Sequence, residues 1–324
     1  MTHLVRRRSL VIGVGGTALA RPAVAQVGYP TRAIRLVYPY APGGSTDVLA
    51  RAIADRLRES LGQTVVVDSR PGANTMLAAG IVARSAPDGY TVGWVPLPAM
   101  TTAFHFFPDT GYRIEDFQPV TLLIRAPNVF AVGNHVPART LAEFVALAKA
   151  APAPLTYATN GLGGSSQLVA EMFQGGAGIR LQIVSYRGEA PAFTDIIGGR
   201  VDGFCGSVAG TTPHHTAGNM RILAVSSAER VPELPEVPTF VEAGVPDLVY
   251  LWWHGIAVRA GTPRPIVDRL NQAIGAVLRD PALAPQLGPG TIPSPTTPED
   301  FASVIAADHA RLGTLIRTRG ITAE

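Results

Sequence analysis

One unit recurs along this 324-residue chain and constrains its fold more than any other feature. A short β-branched or apolar run is followed by a turn of small and hydroxyl residues, then by apolar residues at helical spacing. Ala33-Ile34-Arg35-Leu36-Val37-Tyr38 reads as a strand and Pro39 to Thr46 as a turn. Val48, Leu49, Ile53, Leu57 and Leu61 then mark one face of a helix that Gly62 stops. Thr64 to Val67 reads as a buried strand, Met76 to Arg84 as a helix, and Tyr90 to Val95 as a third strand after the turn Pro87-Asp88-Gly89. This βαβαβ order predicts a parallel sheet with helices on its faces.

The pattern changes between Phe117 and Val132, where Pro127 separates two apolar runs, Val120 to Ile124 and Val129 to Val132. We read this stretch as a crossover into a second lobe. There the unit resumes: helix 141–148, strand 155–158, helix 166–173, strand 181–186, helix 190–197, strand 201–204 and strand 222–226. A Pro-rich connector, 231–246, precedes a returning strand within 249–258, and helices 266–278 and 301–316 close the chain. The expected architecture is α/β and two-lobed, with a cleft between the lobes and two crossover strands. The boundaries are 26–124 plus 251–324 for the first lobe and 125–250 for the second.

The N-terminus reads as an address. Arg6, Arg7 and Arg8 precede an apolar run, Leu10 to Ala20, that is too short to span a bilayer, and Ala23-Val24-Ala25 gives a small-x-small cleavage pattern. Residues 1–25 are therefore expected to be a cleaved, twin-arginine-like signal and the mature protein periplasmic. They hold four arginines and no acid, so their removal takes the formal charge from +3 to −1 and removes the compositional support for nucleic-acid binding. A Gly13-x-Gly15-x-x-Ala18 match falls inside this segment and is no dinucleotide fingerprint. Cys205 is the only cysteine, which excludes an intramolecular disulfide and a CxxC knuckle, and Lys149 is the only lysine.

Three of the turns share a composition: Ala41-Pro42-Gly43-Gly44-Ser45-Thr46-Asp47, Pro71-Gly72-Ala73-Asn74-Thr75, and Thr159-Asn160-Gly161-Leu162-Gly163-Gly164-Ser165-Ser166. Each leads into a predicted helix, whose first N–H groups are unpaired and carry partial positive charge. Glycine lets a ligand approach the backbone, so such turns can hold an anion without a basic side chain. The same residues are also ordinary N-cap residues, and composition alone leaves capping and anion binding open. The third turn lacks the last glycine of a Rossmann fingerprint and has no acid at a later strand end. His214-His215 is a lone pair without a nearby acid or thiol, Cys205 sits in an apolar strand, and no G-x-S-x-G elbow is present. Trp252-Trp253 on the returning strand reads as core packing in preference to ligand stacking.

From Tyr29 on, the chain resembles the substrate-binding proteins of tripartite tricarboxylate transporters, the Bug family. The resemblance runs through Tyr29-Pro30, Ile34-Arg35-Leu36-Val37, Ala41-Pro42-Gly43-Gly44 with Asp47, Arg70-Pro71-Gly72-Ala73, Pro87-Asp88-Gly89-Tyr90-Thr91, Tyr186-Arg187-Gly188-x-Ala190-Pro191, Gly198-Gly199-x-Val201-Asp202 and Val237-Pro238-Thr239. It implies a type II-like periplasmic binding fold that closes on a small carboxylate and hands it to a membrane permease. It implies no catalysis, cofactor or metal, and a monomer that binds no nucleic acid. Carried over by motif, Tyr40, Ala41, Pro42, Gly43, Gly44, Ser45, Thr46 and Asp47 form one wall, with Ala73, Asn74 and Thr75 beside it. Gly161, Gly163, Ser165, Ser166, Gln167, Arg187 and Ala190 form the opposite wall; Asp202 reads either as a brace of the cleft from the second lobe or as a turn residue. Tyr40, Asn74, Thr75, Gln167 and Arg187 depart from residues common in the family, so the resemblance implies a ligand more polar than, or different from, a family archetype. Two alternatives share these residues: a receptor that docks on a sensor kinase, and a secreted enzyme acting on carboxylic acids with Asp47 or Asp202 as base.

Overall fold

Strand β1 (Ile34–Tyr38) shows why the first lobe forms. Ile34, Leu36, Val37 and Tyr38 are all buried, which fits a central strand of a parallel sheet covered on both faces. The computed structural model describes residues 28–159, 163–186 and 188–322. β1 is flanked by the parallel strands β2 (Val65–Ser69) and β3 (Thr91–Pro96), with helices α1 (Ser45–Leu61) and α2 (Met76–Ala83) as crossovers and the short turns α3 (Leu97–Met100) and α4 (Ala103–Phe106) after β3.

Strand β4 (Phe117–Gly133) follows, and the second lobe repeats the pattern. After α5 (Leu141–Ala150), β5 (Leu155–Thr159) pairs in parallel with β6 (Leu181–Ser185) and β7 (Gly203–Ser207). The connections are α6 (Ser165–Ala177) and α7 (Glu189–Ile197). Helix α8 (Val208–Thr216) leads to β8 (Met220–Val225), and a long turn-rich segment returns to β9 (Leu251–Arg259). Helix α9 (Arg264–Arg279), the short α10 (Ala284–Leu287), the two-residue β10 (Ile292–Pro293) and α11 (Pro298–Arg319) complete the chain.

The strands form one continuous curled sheet in the order β2-β1-β3-β9-β4-β7-β5-β6, with β8 and β10 also paired to β4. Each lobe places its first strand centrally, the second outside it and the third inside, and then meets an antiparallel strand: β9 beside β3, β4 beside β7. The sequence reading split β4 at Pro127, whereas the strand is unbroken. Pro127 pairs with Leu251 as the last residue of the β9 register, and the β7 register begins at Asn128. A proline, which lacks a backbone donor, is tolerated there because the strand is changing partners.

One apolar cluster belongs to the first lobe, around Leu36, Ile53, Trp94 and Ile274, and another to the second, around Ala158, Ile196 and Val225. A third runs through both. It joins Phe130, Phe144 and Phe173 to Trp253 and to Phe301, Ile305 and Ile316 of α11. At about 1.5 Å per residue α11 extends roughly 33 Å, and its Arg319 reaches the Glu171 carbonyl of α6 at 3.5 Å. No helix among the described residues is long and apolar enough to cross a membrane. Residues 1–25, read above as a signal, lie outside the described residues.

Candidate functional site

Parallel strands flanking a reversal in strand order leave a crevice beyond their carboxyl ends. This chain has two such points, between β1 and β3 and between β5 and β7. Between them lies a cavity of about 260 Å³. Tyr40 and Thr46 border it from the β1 side and Pro98 from the β3 side. Ser165 borders it from the β5 side and Ser207 from the end of β7, with Glu189 at the start of α7. Asn128 of β4, and Tyr250, Trp252, Trp253 and His254 on and before β9, complete the lining.

The starts of α1 and α6 are alike. Both helices have a glycine N-cap, Gly44 and Gly164, in extended conformation, and each cap is preceded by a glycine of positive φ, Gly43 at 98° and Gly163 at 72°. Ser45 and Ser165 are the first helical residues rather than caps, which corrects the capping reading of Ser45. In both loops a side chain reaches back four residues. Asp47 Oδ2 accepts the Gly43 N–H at 2.9 Å, and Gln167 Oε1 accepts the Gly163 N–H at 2.6 Å. Elsewhere hydroxyls cap helix starts: Thr140 for α5 and Thr297 for α11. A glycine cap leaves the first helical amides without a side-chain acceptor, so the cleft receives two helix ends with donor capacity.

Around these loops the side chains are held from behind. The Tyr38 and Thr46 hydroxyls share a hydrogen bond of 2.6 Å. The Arg51 guanidinium, 3.0 Å from Asp47 Oδ2, and the Gly43 amide hold the Asp47 carboxyl below the usual carboxylate range. The His254 ring packs among Tyr40, Trp94 and Trp252, and the Tyr40 hydroxyl lies 3.2 Å from Nε2. Burial pushes the His254 pKa down to about 3, so the imidazole is neutral at physiological pH. Glu189 Oε1 accepts the Ser207 N–H at 2.7 Å, and Oε2 accepts the Ser207 hydroxyl at 3.0 Å. Burial raises the Glu189 pKa, and these two bonds oppose the rise.

Of the residues expected from the sequence, Tyr40, Thr46 and Ser165 line the cavity, and Gly43, Gly44 and Gly163 shape the turns beside it. Asp47 and Gln167 lie behind those turns and are buried; Ser166 is fully buried, and its carbonyl accepts the Tyr157 hydroxyl. Ala41, Pro42 and Ala190 are exposed, and Ser45 stands at the head of α1. Ala73, Asn74 and Thr75 form a turn of three consecutive residues with positive φ, beside α3 and off the cavity lining. Gly161 and Arg187 lie outside the described residues.

Asp202 requires correction. It precedes β7 at the end remote from the cleft, roughly 16 Å along the strand from Ser207. There it accepts the Thr156 amide and hydroxyl, both at 2.7 Å, and contacts His135 at 3.2 Å. It ties β7 to β5 and touches no cavity residue.

Sequence reasoning missed Asn128, Glu189, Ser207 and His254. Asn128 carried a legible signal, a lone carboxamide within the apolar stretch 126–132. Ser207 was hidden because β7 was read as ending at Phe204. Cys205 is fully buried, and its thiol is pushed up to about 12 chiefly by burial. His214 packs on Phe193, and among the described residues no group of three or more metal-capable side chains occurs. Trp253 is core, with its indole N–H on Asp308 at 2.8 Å and its ring against Phe301, whereas Trp252 is half-buried.

The profile of the tripartite tricarboxylate transporter family receptor matches residues 49–321. The chain belongs to that receptor family. It is 33% identical to protein BugT of Bordetella pertussis over 323 residues, 99% of this chain and 98% of BugT. Among solved structures, Rpa4515 of Rhodopseudomonas palustris, determined with adipate, superposes with a TM-score of 0.81 at 35% identity, covering 91% of this chain and 99% of that one. MatC of the same species, determined with bound malate, gives 0.76 at 30% identity over 89% and 100%. Both the two-lobed α/β architecture and the receptor character are shared with this family of binding proteins.

Proposed function

We propose that this chain is a periplasmic receptor that captures a small carboxylate between its lobes and delivers it to a tripartite tricarboxylate-type permease. The observation that carries the reading is that Thr46 and Ser165, at the heads of two glycine-capped helices from different lobes, border the same cavity. The ligand's carboxylate would rest on the first amides of α1 and α6, assisted by the Thr46 and Ser165 hydroxyls. The adipate and malate bound to related receptors support the ligand class.

Energetics permit such a site to work without a basic side chain. A hydrogen bond to a charged group contributes about 1.5–3 kcal/mol, and micromolar affinity requires roughly 8 kcal/mol. Four to six such bonds in a closed cleft therefore suffice after ordering costs. Because the donors come from both lobes, binding and closure form one equilibrium.

The test is calorimetry and thermal denaturation of the purified protein with a carboxylate panel that includes adipate and malate. One acid should bind and raise the melting temperature, since it binds only the folded state. Thr46→Val and Ser165→Ala should each weaken that binding while leaving the ligand-free melting temperature within a few degrees. No heat and no shift across the panel at millimolar concentration would overturn the reading.

A further inference from the structure

The second-lobe side of the cleft holds a carboxylate of its own. Glu189 opens α7, and its carboxylate folds back onto the first turn of α8. There it takes the Ser207 amide and hydroxyl, while the Ser207 hydroxyl in turn caps Gly210 at 3.0 Å. The seat is built for it: a Cβ at Gly210 would stand 2.3 Å from Oε2, and one at Gly206 would stand 2.9 Å from Oε1. The helix end that could have received a ligand's anion is thus occupied by the protein's own. Among the described residues each Glu189 oxygen accepts one hydrogen bond, and a carboxylate offers about four acceptor sites in all, so acceptor capacity remains.

An independent observation points the same way. Asn128, only 2% exposed, borders the cavity, and its Oδ1 has no hydrogen-bond partner among the described residues. The amides of α1 and α6 ask for an acceptor on the ligand. Glu189 and Asn128 ask for a donor. Tyr40 and the half-buried Trp252 add π faces to the lining, and aromatic faces beside an acid are the surroundings in which an ammonium group is held. Glu189 is the only acidic side chain among the described cavity residues, and His254 is neutral at physiological pH.

We propose that Glu189 is a specificity-determining residue that selects carboxylates bearing a second, cationic amine, and that disfavours plain dicarboxylates. This deepens the receptor reading and rests on it. The ligand's carboxylate lies at the heads of α1 and α6, and its ammonium group faces Glu189 and Asn128 Oδ1.

Matched pairs, in which an ammonium replaces one carboxylate on the same carbon chain, test it: adipate against 5-aminopentanoate, glutarate against 4-aminobutanoate, and succinate against 3-aminopropanoate. Calorimetry on the wild-type protein should favour the amine member of the best-bound pair by roughly tenfold or more, about 1.4 kcal/mol. Glu189→Gln should lose that preference by tightening the dicarboxylate and weakening the amine, while a ligand-free melt verifies that the variant is folded. Trp252→Leu should weaken the amine member more than the dicarboxylate. Wild-type preference for dicarboxylates, or a preference unchanged by Glu189→Gln, overturns the role of Glu189 and leaves the receptor reading standing. Binding of neither member of any pair, in either protein, together with failure of the wider carboxylate panel, overturns both.

Discussion

The two loops that face each other across the cleft are nearly the same object. Gly43-Gly44-Ser45-Thr46-Asp47 and Gly163-Gly164-Ser165-Ser166-Gln167 share a positive-φ glycine, a glycine cap and a side chain that reaches back four residues. They differ in what holds them. The first is closed by an ionised Asp47 paired with Arg51 and is backed by a buried neutral His254 beside Tyr40. The second is closed by the uncharged Gln167, whose Nε2 lies 3.5 Å from the Thr322 carbonyl, and faces the partly buried Glu189. One backbone solution for presenting amides therefore sits in two environments that respond to pH in opposite directions.

The largest expected consequence lies on the first side. His254 has a folded-state pKa depressed to about 3 from 6.5. Its contribution to stability is fully present above pH 6.5, and it is lost as pH falls toward the folded value, because the unfolded chain takes up the proton first. The full loss is about 5 kcal/mol. His254→Phe keeps an aromatic ring among Trp94, Trp252 and Tyr40 and removes the titration. Urea denaturation followed from pH 7 to pH 4 should show the wild type losing stability faster than the variant. Parallel slopes would mean that the imidazole is not held neutral by burial.

The loop closures come next. Asp47→Ala removes a charge-assisted bond to Gly43 and the Arg51 pair, a loss of about 2–3 kcal/mol. Gln167→Ala removes a neutral acceptor from Gly163, a loss of about 1 kcal/mol. The Asp47 contribution is present above the ordinary aspartate range and fades as pH falls through its lower folded value; that of Gln167 has no such dependence. Equal losses in the two variants, or a pH-independent Asp47→Ala effect, would break the distinction between the loops. Alanine at the two positive-φ glycines sharpens it further. Each substitution carries the left-handed penalty of about 1–2 kcal/mol. A Cβ at Gly163 would also stand 2.9 Å from the Phe106 ring, whereas Gly43 has nothing within 4 Å. Gly163→Ala should therefore be the more destabilising in thermal melts.

Much of this arrangement was legible in the sequence, for a physical reason. Parallel βαβ units write themselves as β-branched runs alternating with helical periods, and the rule that ligands sit where strand order reverses then locates the cleft. Thr46 and Ser165 were found because glycine-rich turns are local. Pro127 misled because the handover from β9 to β7 is a property of strand partners, not of the strand itself. Asp202 misled because a strand has two ends and sequence alone did not say which one the aspartate braces. Glu189 escaped because its meaning comes from Ser207, eighteen residues away on the next helix start. Asn74 and Thr75 stood in a turn of the expected composition, yet that turn follows the edge strand β2 rather than a strand at the reversal.

The smallest expected effect has the opposite sign to that of His254. Burial raises the folded-state pKa of Glu189 above its ordinary value. Below the ordinary glutamate range both states hold the proton and the residue makes no difference. As pH rises through that range the unfolded chain ionises first, so stability falls until the folded carboxyl has also ionised. Glu189→Gln keeps an acceptor for the Ser207 amide and removes the ionisation. The variant should gain stability on the wild type as pH rises from about 4 toward neutrality, while the His254→Phe variant shows its advantage only on acidification. Together the two profiles would show that the walls of one cleft titrate in opposite directions. An ammonium-bearing ligand should abolish the Glu189 part, because a cation beside the carboxylate lowers its folded pKa toward the ordinary value. A pH profile of Glu189→Gln that tracks the wild type, with and without 5-aminopentanoate, would show that Ser207 alone accounts for the carboxylate and that nothing in the cleft depends on its charge.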